Sequence, residues 1–127
     1  MLKYALIVAG GGMGSLLRYL VQGWGQNLVK GAFPLGTLLV NVAGCFAIGF
    51  LNTAFIGPLN IRMEYRQGLL IGLLGGFTTF SAFGWETFSL ANDRQLWRAF
   101  ANVMLSLGLG LIAVWAGSRM AEKAYGV

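Results

Sequence analysis

The chain has no histidine, a single cysteine (Cys45) and only four acidic residues among 127. These absences exclude a His/Cys metal cluster, a histidine-based catalytic triad and an internal disulfide. Enzymatic catalysis is left with almost no raw material, so the chain is not expected to be an enzyme. Charge of either sign is scarce. Charged residues make up 10% of the chain, against roughly a quarter in an ordinary soluble domain. Nine Lys and Arg against four acids leave a net charge of +5, but the basic residues are scattered and form no run suited to nucleic acid. What is present is apolar: 57% hydrophobic residues and a mean hydropathy of +0.69. Too few polar side chains remain to cover the surface of so small a soluble body, which makes lipid the solvent for most of the chain.

A membrane helix needs about 20 mostly apolar residues and cannot cheaply leave charge at its centre. Four segments qualify, at about residues 4–24, 33–55, 67–91 and 97–119. The expected fold is therefore an all-α membrane protein, with one four-helix transmembrane domain over residues 1–127. Turn signals separate the spans: Gly31 and Pro34, then Gly57-Pro58 and Asn60, then Asn92-Asp93. Connections this short make consecutive spans antiparallel neighbours. Tyr4, Trp24, Tyr65, Trp97 and Tyr125 fall near span ends, where amphipathic rings favour the headgroup layer. Met1-Leu2-Lys3 reads as the start of the first span rather than of a signal peptide, because no convincing cleavage site follows.

Lys3, Arg62, Arg66, Arg119 and Lys123 lie on one side of the membrane in this reading, and Lys30, Arg94 and Arg98 on the other, joined by Arg18 if it reaches the interface. The positive-inside rule has almost nothing to act on. Two readings stay open: a chain that inserts both ways round, so that opposed copies can pair about an axis in the membrane plane, or a weakly biased chain oriented by a partner.

Glycine is abundant, at 20 residues, and Gly10/Gly14 and Gly72/Gly76 have GxxxG spacing, which lets helix backbones approach closely in lipid. The run Gly10-Gly11-Gly12-Met13-Gly14-Ser15 fits neither phosphate-loop pattern and follows no strand, so nucleotide binding is rejected. The oddest stretch is Gly72 to Phe83. Paired glycines followed by Thr78-Thr79 make a poor helix near the middle of span three. Broken helices are where membrane proteins place ion sites, and freed carbonyls suit a small hard cation. The plainer reading is a kinked helix whose hydroxyls bond back to their own backbone.

Other polar residues at membrane depth are spaced by one turn: Thr37 with Asn41, and Asn102 with Ser106. Amides and hydroxyls can donate to an anion without offering a titratable proton, although each could equally join helices to one another. Phe80 and Phe83 could turn positive ring edges toward an anion, or simply pack. Arg18 either snorkels to the interface or draws anions into a vestibule. Glu86 reads as an interfacial charge.

Taken together, these blocks resemble the Fluc (CrcB-type) fluoride channels. The resemblance rests on Gly14-x-x-x-Arg18, on Gly36-Thr37-Leu38-Leu39-Val40-Asn41-x-x-Gly44 and on Gly75-Gly76-Phe77-Thr78-Thr79-Phe80-Ser81-x-Phe83. It implies a multi-pass protein of the cell's cytoplasmic membrane, an antiparallel dual-topology homodimer of four-helix subunits with helix three broken near its middle. It also implies two fluoride pathways per dimer and passive export of fluoride. A central structural Na⁺ would be held by the backbone carbonyls of Gly75 and Thr78 from both subunits. Asn41, Phe80 and Phe83 would line the fluoride pore together with a polar track of Ser106 and Asn102 on helix four, with Thr37, Thr79 and Ser81 as pore neighbours and Arg18 in the vestibule. Two positions depart from the family pattern, Ala82 and Gly110, where a hydroxyl is common. The competing expectation is a small dual-topology proton-coupled exporter of cationic drugs. That activity needs a deep titratable carboxylate, for which Glu86 is the one candidate.

Overall fold

The computed structural model describes residues 1–57 and 59–127; Pro58, one of the expected turn residues, lies outside the described residues. The regular elements among the described residues are helical. Helix α1 spans Leu2–Gln26 and α2 spans Leu35–Ile56. The third span comprises α3 (Met63–Gln67), a π-helical stretch (Gly68–Leu74), α4 (Gly75–Phe77) and α5 (Phe80–Asn92). Helix α6 covers Leu96–Tyr125. Leu2–Gln26, Leu35–Ile56, Met63–Asn92 and Leu96–Tyr125 are each long and apolar enough to cross a bilayer, which makes this a multi-pass membrane protein.

The helices overrun the uncharged segments because charge is tolerated once a helix reaches the interface. At the end of α6, Arg119 donates to Glu122 Oε2 at 2.8 Å one turn along, and Gly126, at φ 70°, closes the helix in the left-handed conformation that glycine adopts most readily.

Two seams of small residues hold the bundle. Along the first, Gly10 and Gly14 of α1 lie against the backbone of residues Gly68 to Phe77. A Cβ on Gly14 would run into the Leu73 carbonyl, and one on Gly76 into the Gly11 carbonyl. The two GxxxG pairs thus face each other, with no room for a side chain between the backbones. The second seam joins α2 to α6, where Gly49 meets the Val114 backbone and Gly117 meets that of Phe46. Thr53 and Ser118 share a hydroxyl hydrogen bond of 2.8 Å across it. At one end of this seam a small core of Ala54, Phe55 and Ala121 is packed by Phe50, Leu51, Ile61, Leu69 and Leu70. Most other large apolar side chains, among them Val8, Leu16, Trp85, Leu111 and Trp115, lie on the outside, as contact with lipid requires.

Candidate functional site

The site is built around two residues that are not helical. Thr78 (φ −82°, ψ 157°) and Thr79 (φ −151°, ψ 115°) are extended between α4 and α5. Local chemistry favours this geometry. β-Branched side chains sit readily in extended backbone, and the Thr79 hydroxyl accepts the Ala82 N–H at 3.2 Å as the N-cap of α5. Upstream, the Thr78 N–H and hydroxyl both donate to Leu74 O at 2.9 Å. Gly44 on α2 supplies the space, because its missing Cβ position is taken by the Thr78 methyl.

The backbone groups at Thr79 must find partners, since lipid offers none. Asn41 provides them: its Nδ2 donates to Thr79 O at 2.9 Å and its Oδ1 accepts the Thr79 N–H at 2.8 Å. In an uninterrupted helix that N–H would have bonded Gly75 O, so the Gly75 carbonyl loses its usual donor. Thr78 O is reached from the other side by Arg18 Nη1 at 3.4 Å.

Seven expected site residues come together along one open groove of about 380 Å³: Asn41, Gly75, Thr78, Thr79, Phe80, Phe83 and Ser106. The Phe80 and Phe83 rings form a tilted pair with centroids 5.5 Å apart. Phe80 is 82% exposed on the outer surface of the subunit. The residues lining the groove include no carboxylate and no basic side chain.

The other expected residues lie elsewhere. Arg18 and Ser81 line a cavity of about 470 Å³, with Ser15, Tyr19 and Gln22, on the far side of the break; Thr79 borders both spaces. Thr37 belongs to an adjoining cavity of about 500 Å³ that also contains Glu86. There Thr37 donates to Glu86 Oε1 at 2.7 Å and accepts from Gln22 Nε2 at 2.9 Å, while Glu86 Oε2 is buried without a partner. Asn102, 2% exposed, borders none of these spaces and donates to Thr87 Oγ1 at 2.9 Å.

Sequence reasoning passed over Gln22 and Thr87. A signal was present for each: Gln22 is one turn beyond Arg18, and Thr87 one turn beyond Phe83, both polar at membrane depth. Their partners are set by how the helices cross, which spacing along one helix does not reveal.

Residues 5–118 match the family model described as CrcB-like protein, Camphor Resistance (CrcB). The chain is 45% identical over 122 residues to the fluoride-specific ion channel FluC of Solibacter usitatus, covering 96% of this chain and 100% of that one. It is 44% identical over 117 residues to the protein of the same name from Geobacter sulfurreducens, covering 92% and 94%. With that of Rhizobium meliloti it shares 45% over 112 residues, covering 88% and 90%.

Proposed function

The chain belongs to the CrcB family, and on that premise we propose that it is a fluoride-selective passive ion channel of the cytoplasmic membrane. The observation that carries the reading is the groove. It gathers an amide, three hydroxyls and two aromatic rings at a helix interruption, with no carboxylate in its lining. Fluoride is small and strongly hydrated, so a pore must replace its water with hydrogen-bond donors. Asn41 spends one Nδ2 proton on Thr79 O and keeps the second for an anion. Ser106 adds a rotatable hydroxyl, and the ring edges of Phe80 and Phe83 add partial positive charge without a competing acceptor. Arg18, beyond the break, raises the local anion concentration. An interior-negative membrane potential drives the anion outward with no other energy source.

The finer reading is an antiparallel homodimer with two such pathways. Gly75, Phe80 and the polar groove lie on the outer face of the single subunit, where lipid tails would leave Asn41 and the threonines without solvent. A second copy covers them. The weak charge bias across the membrane permits both orientations. In this arrangement the break of span three lies at the dimer centre, where the oxygen-only donor set of Gly75 and Thr78 suits a hard cation such as Na⁺. The Gly75 carbonyl, relieved of the Thr79 N–H, is free for that role. Two carbonyls from one subunit are too few, so the partner supplies the rest. Such an ion would offset the cost of bringing an anion into low dielectric.

A proton-coupled cation exporter would need a carboxylate in its path. Glu86 lies outside the groove and is bonded to Thr37. The test is efflux from liposomes containing the purified protein, followed with a fluoride electrode under a potassium and valinomycin shunt. Rapid fluoride release with chloride retained is the expected result. Silence from well-folded protein overturns the reading. Replacing sodium on both sides with a large organic cation is expected to suppress the release if the central carbonyls hold Na⁺.

A further inference from the structure

Behind the groove a chain of hydrogen bonds runs through Asn102, and its direction can be worked out proton by proton. Thr87 has one hydroxyl proton, which goes to Phe83 O at 2.8 Å. Its oxygen can therefore only accept, so the neighbour at 2.9 Å must be the Asn102 amide nitrogen. With its nitrogen committed, Asn102 presents Oδ1 to Ser106, and the Ser106 hydroxyl donates to it at 3.5 Å. The sequence of donors is Ser106, Asn102, Thr87, Phe83 carbonyl. Two of these, Ser106 and Phe83, line the groove, whereas Asn102 is fully buried behind them.

The consequence is that the Ser106 proton points away from the groove at rest. An anion arriving beside Ser106 meets lone pairs until the hydroxyl rotates and releases Asn102. At 3.5 Å that bond is at the long limit for a hydrogen bond, so releasing it costs little, yet it still sets a threshold. An anion that cannot outcompete an amide oxygen gains no donor at this point.

Building on the fluoride-channel reading, we propose that Asn102 is a positioning residue: it is the resting acceptor of the Ser106 hydroxyl, and so sets how strongly an anion must bind to claim that donor. Thr87 keeps Asn102 in the orientation that makes this possible.

The test measures fluoride current against fluoride concentration in planar bilayers for the full-length protein. Asn102→Leu keeps the volume and removes the resting acceptor; the half-saturating fluoride concentration is expected to fall by at most about threefold, the size of one average side-chain hydrogen bond in lipid, since this bond is a long one. Thr87→Val, which releases the tether on Asn102 and leaves the residue itself in place, is expected to shift it the same way by less, and serves if the leucine variant fails to fold. In an Ser106→Ala background neither substitution should move the half-saturating concentration. An unchanged value in the single variants, or an equal shift with Ser106 absent, overturns the proposal and leaves Asn102 as packing. Wild-type protein that passes no fluoride overturns the channel reading instead.

Discussion

Asn41 and Thr79 hold each other through two reciprocal hydrogen bonds, of 2.9 and 2.8 Å, in the manner of two paired peptide groups. One side chain on α2 thereby takes the place of a missing helical turn in the third span. The amide that satisfies the backbone also lines the groove, so on the reading proposed above architecture and anion binding would depend on the same residue.

Asn41→Leu should therefore damage both properties. Thr79 is buried, and each of its orphaned backbone groups costs about 1–3 kcal/mol. The expected result is a markedly lower melting temperature in detergent together with at least a tenfold loss of fluoride flux, a fall of about 1.4 kcal/mol or more in transport terms. Asn41→Asp keeps the acceptor for the Thr79 N–H and places negative charge in the groove. It should lose flux to a greater degree than it loses stability.

The aromatic pair should behave in the opposite way. Phe80 is 82% exposed in the single subunit, so Phe80→Ile removes little packing within it. Phe80→Ile and Phe83→Ile should both depress fluoride efflux far more than they lower the melting temperature. Efflux unchanged in both variants would remove the rings from the pathway.

Glycines separated by one residue position should have distinct consequences. Gly76→Ala forces a methyl group into the Gly11 carbonyl, whereas a Cβ on Gly75 meets nothing within 4 Å in the subunit. Overpacking of the first kind costs about 1–3 kcal/mol, seen as a lower melting temperature of the subunit. Gly75→Ala should leave the fold intact and, if two copies pair across this face as proposed, shift the protein toward monomer, measured by subunit counting in dilute liposomes. A dimer as tight as wild type would place Gly75 away from the interface.

Arg18→Gln removes the guanidinium from the cavity beyond the break and its contact with Thr78 O. If Arg18 acts by concentrating anions, fluoride flux should fall several-fold at low ionic strength, and the deficit should shrink as an impermeant salt is added, because screening shortens the reach of the charge. A deficit independent of salt would assign Arg18 to bracing the Thr78 carbonyl.

The four apolar helices could be read from the sequence because lipid imposes a coarse rule: some 20 apolar residues with charge kept to the ends. Lys3 and Arg119 sit near such ends, and the helices run past both. The GxxxG pairs on α1 and the third span were legible for a related reason, since small residues at that spacing have few other uses in lipid. The division of the polar residues into separate spaces was not legible. Thr37 and Asn41 share a face of α2, yet one bonds Glu86 and the other Thr79, because α5 runs antiparallel to α2 and brings Glu86 beside one turn and its own N-cap, Thr79, beside the next. Asn102 and Ser106 part in the same way, one behind the groove and one along it. Helix periodicity places residues on a face; only the crossing of two helices decides what that face meets.

The π-helical stretch at Gly68–Leu74 makes the length of the third span as informative as its composition. A wider turn takes up an extra residue, and everything downstream is rotated by about 100° per residue relative to a continuous α-helix. With that phase, Gly76 faces α1 while Gly75 faces outward. Deleting one residue from this stretch would let it relax to ordinary α-geometry with Gly76 still against α1, whereas closing the wide turn at unchanged length would swing the Gly-Gly-Phe segment by about 100° and carry Thr78 and Thr79 out of reach of Asn41. The groove thus depends on the count of residues in this turn as well as on its polar atoms, and relatives of this chain should lose the wide turn only together with one residue.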